Sequence, residues 1–347
     1  MLAVETFQII RILILTGVAF SVALILTPFI IKILIRYQCG KQIRNYLSFH
    51  SGKAGTLTMG GIVIWLTVLG LAAIFFILNI LFDGFWGYLN FVDRRQTYLP
   101  IAAMGLAALI GLIDDIFGVL KIGPNGGGLK VRHKLIIYAL LAALGAWWFY
   151  FKLDWTTLYV PFWGYIEIGW RYIPFFMFVI IATAFSANET DGLAGLLGGV
   201  SLFSFGGLAA VSFTLGRYDL AAFSGVVIGS LLAFLWHNIY PAKFFMGDTG
   251  SMALGITIGT IAMLTNTALF LPFFAVILII ESLSVIIQVT GWKLFSRKVF
   301  LFTPIHHHFE KLGWHETTIT MRFWIISAVF AGLGVVLFFL SRFMLTA

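Results

Sequence analysis

Long apolar segments recur along the whole chain and leave few choices of fold. A helix needs about 20 consecutive apolar residues to cross the hydrocarbon core of a bilayer. Such segments begin near Ile9, Gly61, Tyr98, Leu135, Ile173, Leu193, Leu220, Ser251, Pro272 and Thr320. Of the 347 residues, 61% are hydrophobic and 10% are charged, whereas roughly a quarter are charged in a soluble domain. The sequence therefore predicts an all-α integral membrane protein with about ten transmembrane helices, which form one polytopic domain over residues 1–347.

The basic residues are divided unequally between the two sides of this predicted bundle. Ten spans place alternate loops on opposite sides, and 15 of the 22 Lys and Arg residues then fall on one side. All seven histidines fall on that same side. Because cytoplasmic loops carry an excess of Lys and Arg, this side is predicted to be cytoplasmic and both termini to lie outside. The same rule accounts for the formal charge of +8, so no nucleic-acid partner is expected.

One predicted outer segment, between Lys152 and Tyr172, has a different pattern. Its aromatic residues partly alternate, and they are Trp155, Tyr159, Phe162, Trp163, Tyr165 and Trp170. Alternation with a period of two is typical of strands, and Trp and Tyr favour the membrane interface. The segment is predicted to form a small outer hairpin or an aromatic belt, which is a structural role.

Acidic motifs lie on the predicted cytoplasmic side. Asp114 and Asp115 end the third span, Asp191 follows the fifth, and Asp248 begins the eighth. Carboxylates in such positions can hold a hard cation or act as general bases. The glycines beside Asp248 leave backbone N–H groups for anionic oxygen. The alternative interpretation is structural: the first pair marks a solvated boundary, and Asp191 or Asp248 caps a helix.

A basic loop and a histidine cluster accompany these acids. Lys53 precedes glycines and hydroxyls that continue to Gly61, a composition that suits phosphate binding although it is not a Walker loop. His306, His307 and His308 cannot all face one way, so they indicate phosphate donors or a proton shuttle rather than a zinc site. Together with the carboxylates, they predict a Mg²⁺-dependent site for a phosphorylated substrate at the membrane face, with a lipid as one reactant.

Several strings carry a family resemblance. They are Gly55-Thr-Leu-Thr-Met-Gly-Gly61, Asp114-Asp115, Thr190-Asp-Gly192, Tyr240-Pro-Ala242, Phe245-Met-Gly-Asp-Thr-Gly-Ser251 and Pro304-Ile-His-His-His-Phe309. In order and position they resemble the phospho-N-acetylmuramoyl-pentapeptide transferases of the polyprenyl-phosphate N-acetylhexosamine-1-phosphate transferase superfamily. The resemblance implies transfer of phospho-MurNAc-pentapeptide from UDP-MurNAc-pentapeptide to undecaprenyl phosphate, which yields lipid I and UMP in peptidoglycan biosynthesis. It also implies Mg²⁺, a homodimer, and a multi-pass position in the bacterial inner membrane with a cytoplasmic active site.

The resemblance implies roles for individual residues as well. It assigns Mg²⁺ to Asp248 and Asp114, and catalysis to these two together with Asp115 and His307. The implied substrate-binding residues are Lys53, Thr58, Asn188, Asp191, Gly192, Asn238, Phe245, Gly247, Ser251, Gln288, His306, His308, Arg132 and Lys134. Among them, Phe245 would stack on uracil, and Arg132 with Lys134 would meet the lipid phosphate. Most lie in the predicted cytoplasmic loops 36–58, 114–134, 187–192, 237–251 and 292–319.

Some positions depart from the residues that are usual in this family. The family usually has Pro, Lys, Gln, Asn, an apolar residue and Asp, respectively, at Leu57, Gly118, Tyr138, Phe185, Glu189 and Ala194. The change at Ala194 could remove a contact to uracil, which Glu189 could replace in part. The implied Mg²⁺ and phosphate positions are intact, so an active enzyme is expected.

Two other functions remain open from the sequence. A UDP-GlcNAc:polyprenyl-phosphate GlcNAc-1-phosphate transferase belongs to the same superfamily but carries a different histidine pattern. A membrane transporter is the alternative from another class, because Glu281 lies inside the ninth apolar segment. The reaction itself has two possible schemes: direct attack by the lipid phosphate with Asp114 as base, which we favour, or a covalent aspartyl intermediate.

Overall fold

The computed structural model describes residues 2–40, 56–82, 84–123 and 127–346. This part of the chain is almost entirely helical. Its α-helices, α1 to α13, are Leu2–Arg36, Ile62–Leu81, Phe85–Leu89, Tyr98–Val119, Val131–Lys152, Tyr172–Thr190, Leu196–Thr214, Tyr218–Asn238, Asp248–Leu264, Leu271–Phe274, Val276–Phe295, Ile305–Lys311 and Glu316–Thr346. Its two strands are β1, Thr157–Val160, and β2, Gly164–Glu167.

Nine helices in the described ranges are long and apolar enough to cross a membrane. They are α1, α2, α4, α5, α6, α7, α8, α11 and α13. The segment predicted to begin near Ser251 corresponds to α9, which is apolar but has only 17 residues. The prediction of an all-α integral membrane protein is confirmed, and each predicted apolar segment coincides with a helix.

Helix α9 is short because it lies inside the bundle. Every residue from Thr249 to Leu264 is buried, and the helix packs against α4 and α6. A Cβ atom added to Gly255 would lie 2.6 Å from the carbonyl oxygen of Thr183 in α6, and one added to Gly259 would lie 2.5 Å from the Thr183 hydroxyl. Small residues thus let the two helices approach closely. Protein rather than lipid surrounds α9, so its length need not match the bilayer.

The outer helices present large apolar side chains on the surface of the chain. Ile25 of α1, Ile77 of α2, Leu140 of α5 and Ile325 of α13 are each more than half exposed. In water, apolar surface of this extent would cause aggregation. In a bilayer the same side chains face hydrocarbon, so the protein is an integral membrane protein.

The strands β1 and β2 form the predicted hairpin, which is antiparallel and pairs Tyr159 with Tyr165. Two polar side chains hold it against the helical bundle. Asn266 accepts from the Tyr159 N–H at 3.0 Å and donates to the Thr157 carbonyl at 3.0 Å. The Ser341 hydroxyl of α13 lies 2.7 Å from the Tyr159 hydroxyl. The hairpin is therefore a fixed part of the fold.

Candidate active site

Four helix ends meet at one end of the bundle and bring distant motifs together. Lys134, in the first turn of α5, contacts Asp114 near the end of α4 and Asp248 at the start of α9. Asn188, near the end of α6, donates to the same Asp248 carboxylate. Residues more than 100 positions apart in the sequence thus meet in a single polar site.

Two carboxylates hold the turn that begins α9. Asp115 accepts hydrogen bonds from the N–H groups of Asp248 at 3.1 Å and Thr249 at 2.9 Å. Asp191 accepts from the N–H of Gly247 at 3.0 Å. Gly247 has φ +76°, and a Cβ there would lie 2.6 Å from the Asp115 carboxylate, so this position requires glycine. The contacts of Asp115 and Asp191 therefore orient Asp248.

This arrangement corrects one interpretation of the sequence. The backbone N–H groups at Gly247, Asp248 and Thr249 are not left for an anionic ligand, because Asp115 and Asp191 accept from all three. Asp115 therefore has a positioning role, since both of its oxygens accept backbone hydrogens, and the catalytic role that the resemblance implies for it stays a prediction.

The structural alternatives for Asp114 and Asp248 are wrong. Asp114 does not mark a solvated boundary, because its residue surface is only 3% exposed. Asp248 does not cap its own helix: Gly247 is the N-cap residue, and the first N–H groups of α9 donate to Asp115 instead. The Asp248 carboxylate instead contacts Lys134 and Asn188. Neither acid makes a capping contact; the Asp114 side chain is buried and the Asp248 side chain is 23% exposed, so both are candidates for chemistry.

The Lys134 ammonium lies between those two acids. Its Nζ is 2.8 Å from Asp114 Oδ2 and is also hydrogen-bonded to Asp248 Oδ2. The second oxygen of Asp114 accepts from the Leu129 N–H at 2.5 Å. Asn188 donates to the second oxygen of Asp248 and to the Ser251 hydroxyl, the latter at 3.1 Å. Each carboxylate therefore has one oxygen fixed by an uncharged donor and one directed at a cation.

Asp114 and Asp248 form a donor set that fits Mg²⁺ when phosphate oxygens and water complete it. Mg²⁺ is usually bound through one or two carboxylates together with substrate phosphates rather than in an all-protein cage. Within the described ranges, no three or more His, Cys, Asp or Glu side chains are grouped to hold a metal. Two carboxylate oxygens that already share one cation are the donors available here.

The histidines separate into different environments, as consecutive residues on a helix must. His306 is completely buried, and its Nδ1 lies 3.0 Å from Glu281 Oε2 of α11. A Cβ atom on Gly192 would lie 2.1 Å from His306 Nε2, so glycine is needed for the ring to fit. Burial disfavours the imidazolium, but the Glu281 carboxylate outweighs burial, so the pKa of His306 lies above its ordinary 6.5. His306 thus packs against Gly192, the residue that follows Asp191 of the site.

Pairing with His306 also explains the buried acid of α11. Glu281 is fully buried, and its Oε2 is the group that faces the His306 ring. A carboxylate held in this way is part of a structural ion pair. The observation that favoured a transporter has therefore been accounted for.

His307 and His308 have different partners. His307 Nδ1 lies 2.6 Å from Glu310 Oε2, one turn further along α12. His308 Nδ1 accepts from the Leu301 N–H at 3.1 Å. Gln288 holds the same loop, because its side chain accepts from the Phe300 N–H at 2.9 Å and donates to the Phe300 carbonyl at 3.1 Å. His308 and Gln288 therefore shape the loop before α12.

Asn238 and Phe245 lie beside the α9 turn. Asn238 donates to the Phe244 carbonyl at 2.7 Å and accepts from the Gly195 N–H at 2.9 Å. Phe245 is only 7% exposed, and its N–H donates to the Leu57 carbonyl at 2.7 Å. Asn238 thus acts as a clamp between two loops, and stacking of Phe245 on uracil stays a prediction.

The other predicted substrate-binding residues are Thr58, Lys53 and Arg132. Thr58 is buried, and its N–H donates to the Cys39 carbonyl at 2.9 Å. Lys53 lies outside the described residues. Arg132 is exposed and donates to the ring of its neighbour His133 at 3.3 Å. Residues two apart on a helix face different ways, so Arg132 and Lys134 are not in contact, and their meeting with the lipid phosphate stays a prediction.

Three departures from the usual family residues line one small pocket. Tyr138, Phe185 and Glu189 share it with Lys134 and Asn188, and its remaining lining residues are Leu129 and Val131. The pocket therefore opens on the ammonium that bridges the two acids. Ala194 lies elsewhere, where its carbonyl accepts from Thr320 at 3.2 Å.

The carboxylate partners of the histidines were missed as site residues. The spacing of His307 and Glu310, three apart on a short helix, is a usable signal, because residues at that separation face each other. Glu281 offered a second signal, since a carboxylate in an apolar segment is rarely buried without a partner.

Comparison with known proteins defines the class of this membrane protein first. The model of a family described as Glycosyl transferase family 4 matches residues 98–266, the range that contains Asp114, Lys134, Asn188, Asp191 and Asp248.

Curated relatives then define the family. A phospho-N-acetylmuramoyl-pentapeptide-transferase of Geobacillus thermodenitrificans (strain NG80-2) is 36% identical, covering 92% of this chain and 95% of the relative. Proteins of the same name from Clostridium novyi (strain NT) and Thermoanaerobacter sp. (strain X514) are 37% and 38% identical. These two alignments cover 91% and 92% of this chain, and 94% and 96% of the relatives. The chain belongs to the phospho-N-acetylmuramoyl-pentapeptide transferases.

Proposed function

We propose that this enzyme transfers phospho-MurNAc-pentapeptide from UDP-MurNAc-pentapeptide to undecaprenyl phosphate, forming lipid I and UMP. Membership of the family supports the reaction. The observation that carries the assignment to this site is the convergence of Asp114 and Asp248 on one cationic group. Phosphoryl transfer needs positioned charge more than covalent chemistry from the protein, and these side chains supply it.

Asp248 and Asp114 would hold Mg²⁺, which when bound would neutralise negative charge on the diphosphate. The chain's own donors would then orient the substrate. Asn188 and Ser251 lie together at 3.1 Å beside Asp248 and can donate to phosphate oxygens once these approach. Lys134 can do the same, because a lysine ammonium carries three donors on a flexible stem.

Direct attack by the lipid phosphate remains the scheme we propose. Both oxygens of Asp114 accept hydrogen bonds, one from Leu129 and one from Lys134. A carboxylate held in this way is a weaker nucleophile than a free one, which argues against an aspartyl intermediate. With Oδ2 directed at the cation, Asp114 Oδ1 would act as the base. It uses one lone pair for the Leu129 N–H, and the second could take the proton of a monoprotonated lipid phosphate as that phosphate attacks.

We also propose that this end of the bundle faces the cytoplasm of a bacterial inner membrane, with both termini outside and a homodimer as the assembled form. The excess of Lys and Arg in the loops on this side supports the orientation. A soluble UDP-sugar would reach the site from that side, and the lipid phosphate from within the bilayer.

The decisive experiment measures UMP release from UDP-MurNAc-pentapeptide and undecaprenyl phosphate by the purified protein, with and without Mg²⁺. We expect release only when all components are present. Asp114→Asn and Asp248→Asn should each abolish it, and near-normal turnover by either variant would contradict the assignment. Preferential turnover of UDP-GlcNAc would indicate the related transferase, and substrate uptake into proteoliposomes without UMP release would indicate a transporter.

A further inference from the structure

The Lys134 ammonium occupies the place where the two proposed metal ligands converge. Its Nζ lies 2.8 Å from Asp114 Oδ2 and is hydrogen-bonded to Asp248 Oδ2. An ammonium and a divalent cation are both attracted by the same two oxygens. Because these oxygens cannot serve both cations at full strength, binding of a metal requires the ammonium to leave.

The other oxygens of these carboxylates do not remove this competition. Asp114 Oδ1 is fixed by the Leu129 N–H at 2.5 Å, and Asp248 Oδ1 is fixed by the Asn188 amide. Leu129 lies just before α5 and Asn188 lies in α6, so the fold holds both donors in place. The oxygens that face Lys134 are thus the ones that a metal can take.

The structure also offers a place to which the ammonium can move. Lys134 lines the small pocket together with Glu189 of α6, and the free volume there is about 60 Å³. The other lining residues carry no charge: Leu129, Val131 and Phe185 are apolar, and Tyr138 and Asn188 are polar. In such surroundings a charge needs a partner of opposite sign, and Glu189 supplies the carboxylate on that side.

We propose that Lys134 is an internal counter-ion which a divalent cation displaces from Asp114 and Asp248, and that Glu189 receives the displaced ammonium. This inference rests on the proposed function, because it takes those two aspartates as the metal ligands. A substrate phosphate that also binds the ammonium would favour metal binding in the same way. Metal and phosphate therefore bind with positive cooperativity, by the reciprocity that links any two coupled sites.

The test uses Mn²⁺ alone, titrated into the purified full-length protein in lipid nanodiscs and followed by electron paramagnetic resonance without nucleotide. Lys134→Met removes the competing ammonium, so the Kd for Mn²⁺ should fall by about tenfold or more, given a charge within 3–4 Å of both ligands. Lys130→Met loses the same charge at an exposed position and should change Kd by less than about twofold, because exposed charges are screened. An unchanged Kd in Lys134→Met, or no Mn²⁺ binding by it, would overturn the proposal.

A second variant keeps both aspartates and the lysine. Glu189→Gln removes the receiving carboxylate, so Mn²⁺ should bind about three- to tenfold more weakly, a loss within the usual range for coupled groups. Glu167→Gln, on the exposed hairpin, is its matched control. In the Lys134→Met background, Glu189→Gln should have almost no further effect. Equal losses with and without Lys134 would overturn the role of Glu189. If Lys134→Met does not fold, Glu189→Gln in the wild-type background decides the matter, and a Kd no different from that of Glu167→Gln would overturn the proposal.

The two proposals fail separately. If the wild type releases UMP from UDP-MurNAc-pentapeptide but neither Lys134→Met nor Glu189→Gln changes the affinity for Mn²⁺, only the counter-ion proposal is wrong. If the affinity responds as expected but UDP-MurNAc-pentapeptide is not turned over, the proposed substrate is wrong.

Discussion

Replacing Gly192 with alanine tests whether the packing of the His306 ring against this glycine maintains the site. The added Cβ would lie 2.1 Å from His306 Nε2 and 2.7 Å from its Cε1. Ordinary contact begins at 3.4 Å, so the ring must move by about 1.3 Å, the difference between these distances. It cannot move freely, because Glu281 holds its Nδ1 at 3.0 Å on the other side.

The cost follows from these contacts. Forcing extra volume into a packed core costs about 1–3 kcal/mol, and breaking a buried ion pair costs about 3–5 kcal/mol. Because part of the strain can be relieved by a small backbone shift at residue 192, we expect Gly192→Ala to lower the free energy of unfolding by about 2–4 kcal/mol. UMP release should fall as well, since His307 is the next residue of the same helix.

Thermal unfolding of the purified protein in detergent, together with UMP release, measures both effects. Gly206→Ala in α7 is the matched control, because a Cβ there meets nothing within 4 Å and alanine favours a helix by up to about 1 kcal/mol. The double variant Gly192→Ala/His306→Ala removes the ring that clashes. Its loss of stability should therefore be smaller than the sum of the losses in the two single variants. Wild-type melting and activity in Gly192→Ala would refute this account.

The other predictions concern groups that position the site. The pKa of His306 is raised, so its ion pair with Glu281 stabilises the fold fully below pH 6.5, and this stabilisation is lost as pH rises through the raised pKa. The melting temperature should therefore fall across that pH window. Glu281→Gln should remove this dependence of the melting temperature on pH. Glu310→Gln should lower kcat about tenfold or more and shift the pH profile, because Glu310 fixes the ring of His307, whereas Glu310→Asp should recover part of the rate; an unshifted profile would leave Glu310 a packing role only. Asp115→Asn should lower stability by about 2 kcal/mol, since an amide nitrogen would then face a backbone N–H, and should raise the Mg²⁺ concentration for half-maximal UMP release; unchanged melting and Mg²⁺ dependence would count against the role of Asp115.

The helices were predictable because the bilayer imposes a simple rule on them. Every span must satisfy its backbone internally and present apolar side chains for about 20 residues. Ile25, Ile77 and Ile325 follow this rule on outer helices. The start of α9 was displaced in the prediction, to Ser251 instead of Asp248, because a polar first turn buried by protein does not resemble the start of an apolar segment.

The partners of the site residues were much harder to predict. Asp114 and Asp248 are far apart in sequence, and no local period states that Lys134 lies between them. The same is true of His306 and Glu281. Arg132 lies two residues before Lys134 and faces another direction on the helix, so its predicted contact with the lipid phosphate cannot be derived from its place in the sequence. Local patterns identify which residues have chemistry, whereas their pairing depends on how helix ends meet.

The capped turn at α9 limits how the enzyme can bind a diphosphate. Gly247, Asp248 and Thr249 would ordinarily offer N–H groups and the positive end of a helix dipole to an anion. Asp115 and Asp191 accept these hydrogens instead, and they add negative charge that repels phosphate. If the diphosphate binds beside Asp248, as we propose, its charge has to be balanced by cations. The single positive charge of Lys134 is smaller than that of the four carboxylates Asp114, Asp115, Asp191 and Asp248. A helix start made unsuitable for anions in this way is expected where a metal carries the charge, and this supports the divalent cation that we propose for the site.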